Sequence, residues 1–305
     1  TPADDPVAAA QALVVTQSKD INAQYVENQG NASAQLGLVE ANLSSLTDLW
    51  QAARERAVES LGSLTDAQRG FIATDLQIKL NSMIGLANTD DGAGQFLFSG
   101  YQGATRPFAI DGSVAPVAPA TQPPVVYFGD DGERLLQVEA STRIAGNVSG
   151  AELFMNIRSG NGTFATAVGG NSGGGINQGS ALIDVGSVTN LPQWNAAVNT
   201  HGSFRVEFSM GGGGLEYQIY NAANVAMLTA PAAYTSGQAI PLQKTTAPAA
   251  SFGAQVVISG TPAVGDRFTV APSANQSMFK TLQNLIGALQ TPVNAAFTKT
   301  ELDNR

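Results

Sequence analysis

The stretch LGLVEANLSSLTDLWQAARERAVESLGSL, residues 36–64, decides the first part of the fold. Leu36, Val39, Leu43, Leu46, Trp50, Ala53, Ala57, Ser60 and Leu64 follow one another at alternating steps of three and four residues. A mean step of 3.5 residues holds one stripe of a long helix against the same neighbour throughout. Roughly 29 residues at 1.5 Å each make a rod about 43 Å long. Such a seam either meets a partner helix or serves as the internal spine of a bundle, and the other helices of the chain favour the second reading.

Working outward, Asp4-Asp5-Pro6 reads as a helix start, with a carboxylate at the cap and a proline where a missing N–H costs nothing. Val7, Ala10, Val14, Gln17, Ile21 and Gln24 keep the three-four step, and Gly30-Asn31 reads as a break before the rod. Thr65-Asp66-Ala67-Gln68 has the capping-box pattern. Ile72, Leu76, Leu80, Met83 and Ala87 then mark one face of a further helix, which ends between Asn88 and Gly94. Near the other end Met278, Leu282, Leu285, Ile286 and Leu289 form a last helical stripe, with Pro292 interrupting it.

Between the helical ends the pattern changes. Phe96–Phe98 reads as a short strand. Hairpins are expected for 125–128 with 135–138 around Gly129-Asp130-Asp131-Gly132, for 204–210 with 215–220 around four glycines, and for 255–259 with 267–270. Segments 115–124 and 169–175 read as loops. The fold class is therefore α+β and multidomain: an antiparallel helical bundle built from both chain ends, with an inserted β-rich domain. The helical part takes residues 1–150 and 273–305, with a small β-hairpin, and the β-rich part takes 151–272.

Composition argues against several function classes. Charged residues make up only 13% of the 305, the net charge is −9 and cysteine is absent. An acidic chain lacks the basic footprint that nucleic acid or an anionic membrane requires, and without cysteine there is no disulfide, thiolate nucleophile or cysteine-ligated zinc. His201 is the lone histidine, placed by Thr200 and Gly202 in a turn before the strand at Phe204. Asp90-Asp91-Gly92 and Asp130-Asp131-Gly132 lack the alternating acids of a calcium loop and read as turns. Gly211–Gly214 does not lead a strand into a helix, so it is no phosphate cradle. No catalytic, cofactor-binding or metal-ligating residue is expected.

Several stretches together resemble a known family. Asp4-Asp5-Pro6 is similar to the helix start of flagellin-like proteins, and Gln95-Phe96-Leu97-Phe98-Ser99-Gly100 resembles a segment of the FlgL-type, hook-associated protein 3 family. Gly146–Phe154 (GNVSGAELF), Gly162-Thr163-Phe164 and the run from Gly260 through Pro262, Gly265 and Asp266 to Phe268 are similar to that family too. The resemblance implies an extracellular structural subunit of the bacterial flagellum, forming a ring between hook and filament. It implies hook-associated protein 1 and flagellin as neighbours, export by the flagellar secretion apparatus, and a cytoplasmic export chaperone. It also implies further helical segments beyond both ends of this chain, which would make the chain a core fragment. The rival readings are a flagellin filament subunit and, from another class, a secreted glycan-binding or glycan-active protein.

Overall fold

The computed structural model describes residues 6–60, 64–116 and 120–290. It is a mixed helix and sheet structure with long helices. Helix α1 spans Pro6–Ser60 and α2 spans Asp66–Ala87. Helix α1 runs unbroken through Gly30-Asn31, where the sequence suggests a break. Glycine inside a helix costs only about 1 kcal/mol, and local contacts offset it. Ala32 is buried, and the side-chain amides of Asn28 and Gln29 donate to the carbonyls of Gln137 (2.7 Å) and Val138 (2.9 Å).

The capping box forms as its sequence implies. The amide N–H of Thr65 donates to Gln68 Oε1 at 2.9 Å, and the amide N–H of Gln68 donates back to Thr65 Oγ1 at 3.3 Å. Two of the orphan donors at the start of α2 are thereby satisfied.

The chain divides into two compact units. The first takes residues up to Ala52, Asn81–Asp111 and Val125–Met155. It holds four short strands, β1 (Phe108–Ile110), β2 (Val125–Tyr127), β3 (Leu135–Gln137) and β4 (Arg143–Ala145), and the one-turn helix α3 (Gly150–Phe154). Strand β1 pairs with β2 and β3 with β4. The expected hairpin of 125–128 with 135–138 does not form. Asp130 is the reason: its Oδ1 accepts the N–H groups of Tyr101 (2.7 Å) and Gly132 (2.9 Å), so the Gly129–Gly132 segment is tied to another loop instead of closing a turn. Phe96–Phe98 is likewise no strand; Phe96 makes one isolated bridge to Asp90 and the rest is turn.

The second unit takes Ala53–Leu80, Gly112–Pro124 and the chain from Asn156 onward. Its strands are β5 (Ile157–Arg158), β6 (Phe164–Asn171), β7 (Leu182–Ile183), β8 (Ser187–Val188), β9 (Phe204–Gly211), β10 (Gly214–Asn221), β11 (Ala232–Ala233), β12 (Ala239–Lys244), β13 (Ala250–Ser259), β14 (Asp266–Pro272) and β15 (Asn275–Gln276). An antiparallel five-stranded sheet has the order β11-β10-β9-β14-β6, and a smaller sheet has the order β12-β13-β7, with β8 also on β13. The β9–β10 hairpin forms as expected, Gly211 opposite Gly214. The third expected hairpin does not: β13 and β14 lie in different sheets.

Alternation decides the core of this unit. Phe204, Val206 and Phe208 of β9 face inward with Ile219 of β10, Phe268 and Val270 of β14 and Phe164 of β6. Helix α4 (Leu191–His201) adds Trp194, whose ring centroid lies 5.0 Å from that of Phe164. The sequence reading missed α4, although its signals are present: Asn190 caps the N-terminus and Pro192 sits in the first turn. His201 is the last residue of that helix, and Gly202 (φ 71°) closes it. Helix α5 (Met278–Gln290) is buried at every residue from Met278 to Leu289 except Lys280. Pro292 lies outside the described residues.

Candidate functional site

The acidic turns and the lone histidine singled out in the sequence make contacts within the chain. Asp90 and Asp91 accept backbone N–H groups of their own turn, Gly92 at 2.9 Å for the first and Ala93 and Gln95 at 2.9 and 3.0 Å for the second. Asp131 accepts the hydroxyl of Ser149 at 3.0 Å. The His201 ring packs beside Phe252, centroids 5.2 Å apart. Among the described residues no group of three or more His, Asp or Glu side chains is placed to hold a metal ion. Among them too, no helix is long and apolar enough to cross a membrane.

Three of the stretches that carry the family resemblance, 95–100, 146–154 and 260–268, contain internal anchor points. Phe98 is fully buried, and its ring stands edge-on to Phe154 with centroids 5.3 Å apart. Its carbonyl accepts both the Gly150 N–H at 3.1 Å and the Tyr127 hydroxyl at 3.0 Å. Burial pushes the Tyr127 phenol up from its ordinary value, which keeps it protonated and donating. Phe96 is half-buried and its N–H donates to the Gly103 carbonyl at 2.8 Å. Gly100 sits at φ 70°, and a Cβ there would meet Asp130 Oδ1 at 2.1 Å. Asn147 closes the arrangement. Its amide nitrogen donates to the carbonyls of Gly100 (3.2 Å) and Gly132 (3.1 Å), while its oxygen accepts the Arg134 N–H at 2.6 Å. Thus the segments 95–100 and 146–154, far apart in the chain, form one hydrogen-bonded hub in the first unit.

The run 260–268 does the same in the second unit. Asp266 is completely buried. Its Oδ1 accepts the Gln178 N–H at 2.7 Å and the Asn171 amide at 3.1 Å, and its Oδ2 accepts the N–H groups of Gly179 and Ala263, both at 2.8 Å. A carboxylate held by four N–H donors is a structural pin. Gly260 (φ 93°) and Gly265 (φ 86°) supply left-handed backbone on either side, and Pro262 is buried between them. The residues 260–265 therefore wrap Asp266 and carry the chain from β13 into the other sheet.

Along the seam Val39, Leu46, Ala53 and Ser60 are buried, Leu43, Trp50, Ala57 and Leu64 are half-buried, and Leu36 is exposed. Ala32 and Asn42 are buried as well, so burial centres on a seven-residue series from Ala32 to Ser60. Asn42 Oδ1 accepts the Thr89 hydroxyl at 2.9 Å. Asp4 and Asp5 lie outside the described residues, and Pro6 is the first residue of α1.

Farther along the two long helices, Asp75 of α2 accepts from Arg56 of α1 at 2.9 Å and from Lys79 at 3.1 Å. Burial alone would raise the Asp75 carboxyl, but the bonds and charges of Lys79 and Arg56 outweigh it and hold the group below its ordinary value of about 3.8. A lowered folded value means that the stabilisation is present above pH 3.8 and is lost as pH falls through the folded value. The melting-temperature difference between wild type and Asp75→Asn should therefore shrink as pH is taken from 6 down to about 3, read by circular dichroism. A difference that stays constant over that range would exclude the ionised cluster as its source.

No profile of a known protein family matches the chain. Hook-associated protein 3 of Escherichia coli K12 is 41% identical over 109 residues, 35% of this chain and 34% of that protein. Hook-associated protein 3 of Salmonella typhimurium LT2 is 33% identical over 159 residues, 52% of this chain and 46% of that protein. The crystal structure of the flagellar junction protein FlgL from Legionella pneumophila superposes with a TM-score of 0.77 at 28% identity, covering 98% of this chain and 85% of that one. The chain is similar to FlgL-type junction proteins in sequence and in fold. The matches span less than half the length of these curated relatives.

Proposed function

We propose that this chain is a structural subunit of the bacterial flagellum that joins hook to filament by subunit packing. The observation that carries the reading is the FlgL-like fold across nearly the whole chain, together with segments at 95–100 and 260–268 that resemble that family. The side chains with chemical potential fit this role, since those described above serve turns, pins and ion pairs within the chain.

On this reading residues 1–150 and 273–305 make a helical rod, and residues 151–272 an inserted β-rich domain. The apolar cluster of the β domain lies wholly within residues 164–270, whereas the compact units group Ala53–Leu80 and Gly112–Pro124 with the chain from Asn156 onward. The seam centred on Val39, Leu46 and Ala53 stiffens the rod as its spine. The full-length protein forms a ring with hook-associated protein 1 on one side and flagellin on the other. It is carried by a cytoplasmic chaperone before export and works outside the cell.

Deletion of the full-length gene tests the proposal. The expected result is hooks without attached filaments, with flagellin shed into the medium and attachment restored by the intact gene. Filaments that remain firmly attached in the deletion strain would overturn it.

A further inference from the structure

We propose that Asn161-Gly162 is the chain's site of spontaneous deamidation, and that the fold holds it closed until the turn around it opens. It is the one Asn-Gly step in the 305 residues. Deamidation begins when the backbone nitrogen of the following residue attacks the side-chain amide carbon. A C–N bond forms there, the bond to Nδ2 breaks and ammonia leaves. Water then opens the resulting succinimide to aspartate or isoaspartate. Glycine in the following position has no Cβ to block the approach and lets the backbone bend into the ring. Both residues are exposed, so water reaches them.

The folded turn restrains each group that the reaction uses. The nucleophile, the Gly162 N–H, donates to the Ser159 carbonyl at 3.3 Å. The leaving nitrogen, Asn161 Nδ2, donates to the carbonyls of Val185 (3.2 Å) and Gly186 (3.4 Å). Asn161 Oδ1 accepts the N–H groups of Thr163 (3.0 Å) and Phe164 (2.9 Å). Those two donors polarise the amide carbonyl and by themselves favour attack. The restraint outweighs them, because the amide carbon must swing onto a nitrogen that is itself held, and the turn must open for that. The product would not fit the closed turn. An aspartate at 161 keeps an acceptor for Thr163 and Phe164, but its second oxygen faces the carbonyls of Val185 and Gly186, where the amide had donated. Phe164 opens β6 and its ring is fully buried against Trp194, so the reaction loosens the start of a core strand. None of this depends on the flagellar role.

Peptide mapping by mass spectrometry tests it, with the chain incubated at one mildly alkaline pH either native or unfolded in urea. In the unfolded chain the peptide carrying Asn161 should convert from amide to acid before any other asparagine peptide. In the native chain the same conversion should be at least about tenfold slower, because it waits for local opening. Asn161→Asp should melt about 3 °C below wild type, having lost the two bonds to Val185 and Gly186. Native and unfolded chains that convert at the same rate would overturn the proposal. So would a different asparagine that reacts first in the unfolded chain, or an Asn161→Asp variant that melts with wild type.

Discussion

Asp266→Ala is expected to lower the stability of the β core by about 4 kcal/mol, or about 10 °C in melting temperature. The substitution removes both carboxylate oxygens from four donors, the N–H groups of Gln178, Gly179 and Ala263 and the side-chain amide of Asn171. Hydrogen bonds to a charged acceptor contribute about 1.5–3 kcal/mol each, and each buried donor left without a partner carries its own desolvation cost. Partial collapse and entry of water recover some of the sum, which is why the expected loss is smaller than four full bonds. Asp266→Asn keeps the size and one acceptor oxygen, but it turns a donor toward the N–H groups on the other side. It should therefore lie between wild type and alanine. Trp194, buried in the core that β14 enters, reports the transition by fluorescence in a Trp50→Phe background. A loss under about 1 kcal/mol for Asp266→Ala would mean that the carboxylate is not the pin of this loop.

The same carboxylate explains what the sequence does not reveal. Two β-rich runs flanking Gly260–Gly265 carry the local signature of a hairpin, and local signatures are all that a strand pattern offers. The partners of Asp266 at Asn171, Gln178 and Gly179 are about ninety residues away, and no periodicity points to them. Asp130 defeats the hairpin at Gly129–Gly132 in the same manner, by binding Tyr101 from an earlier loop. The β9–β10 hairpin is legible because its strands alternate and its two-residue tip is glycine, so turn and strands agree. The long helices are legible because a three-four apolar step sustained over many turns has no strand alternative. Gly30 misleads because propensity is weak against contacts made by neighbours such as Asn28 and Gln29. The family resemblance could be read from short segments for a related physical reason. Two of those segments, 95–100 and 260–268, each contain a residue held from elsewhere in the chain, Phe98 through Gly150 and Tyr127 and Asp266 through Asn171, Gln178 and Gly179.

Phe98→Ala should be the most damaging single change in the first unit, costing about 3–5 kcal/mol. The ring is fully buried against Phe154, which itself stands 5.1 Å from Phe108, so three aromatic rings share one packed centre. Truncation removes the burial of the ring, its edge-to-face contacts and the atoms that fill the space between 95–100 and 146–154. The backbone bonds at this position survive the substitution, because Gly150 and Tyr127 donate to the Phe98 carbonyl and not to its side chain. The variant should therefore fold with the native topology and lose stability, not lose the fold. Hydrogen exchange read by mass spectrometry separates these outcomes. Protection should fall in peptides covering 84–110 and 125–155, where the hub lies, and stay near the wild-type value in β9 and β14. Equal loss of protection in both regions would mean that the ring cluster supports the whole chain. No loss in either would mean that the hydrogen bonds of Asn147 and Asp130, and not the aromatic packing, hold the two segments together.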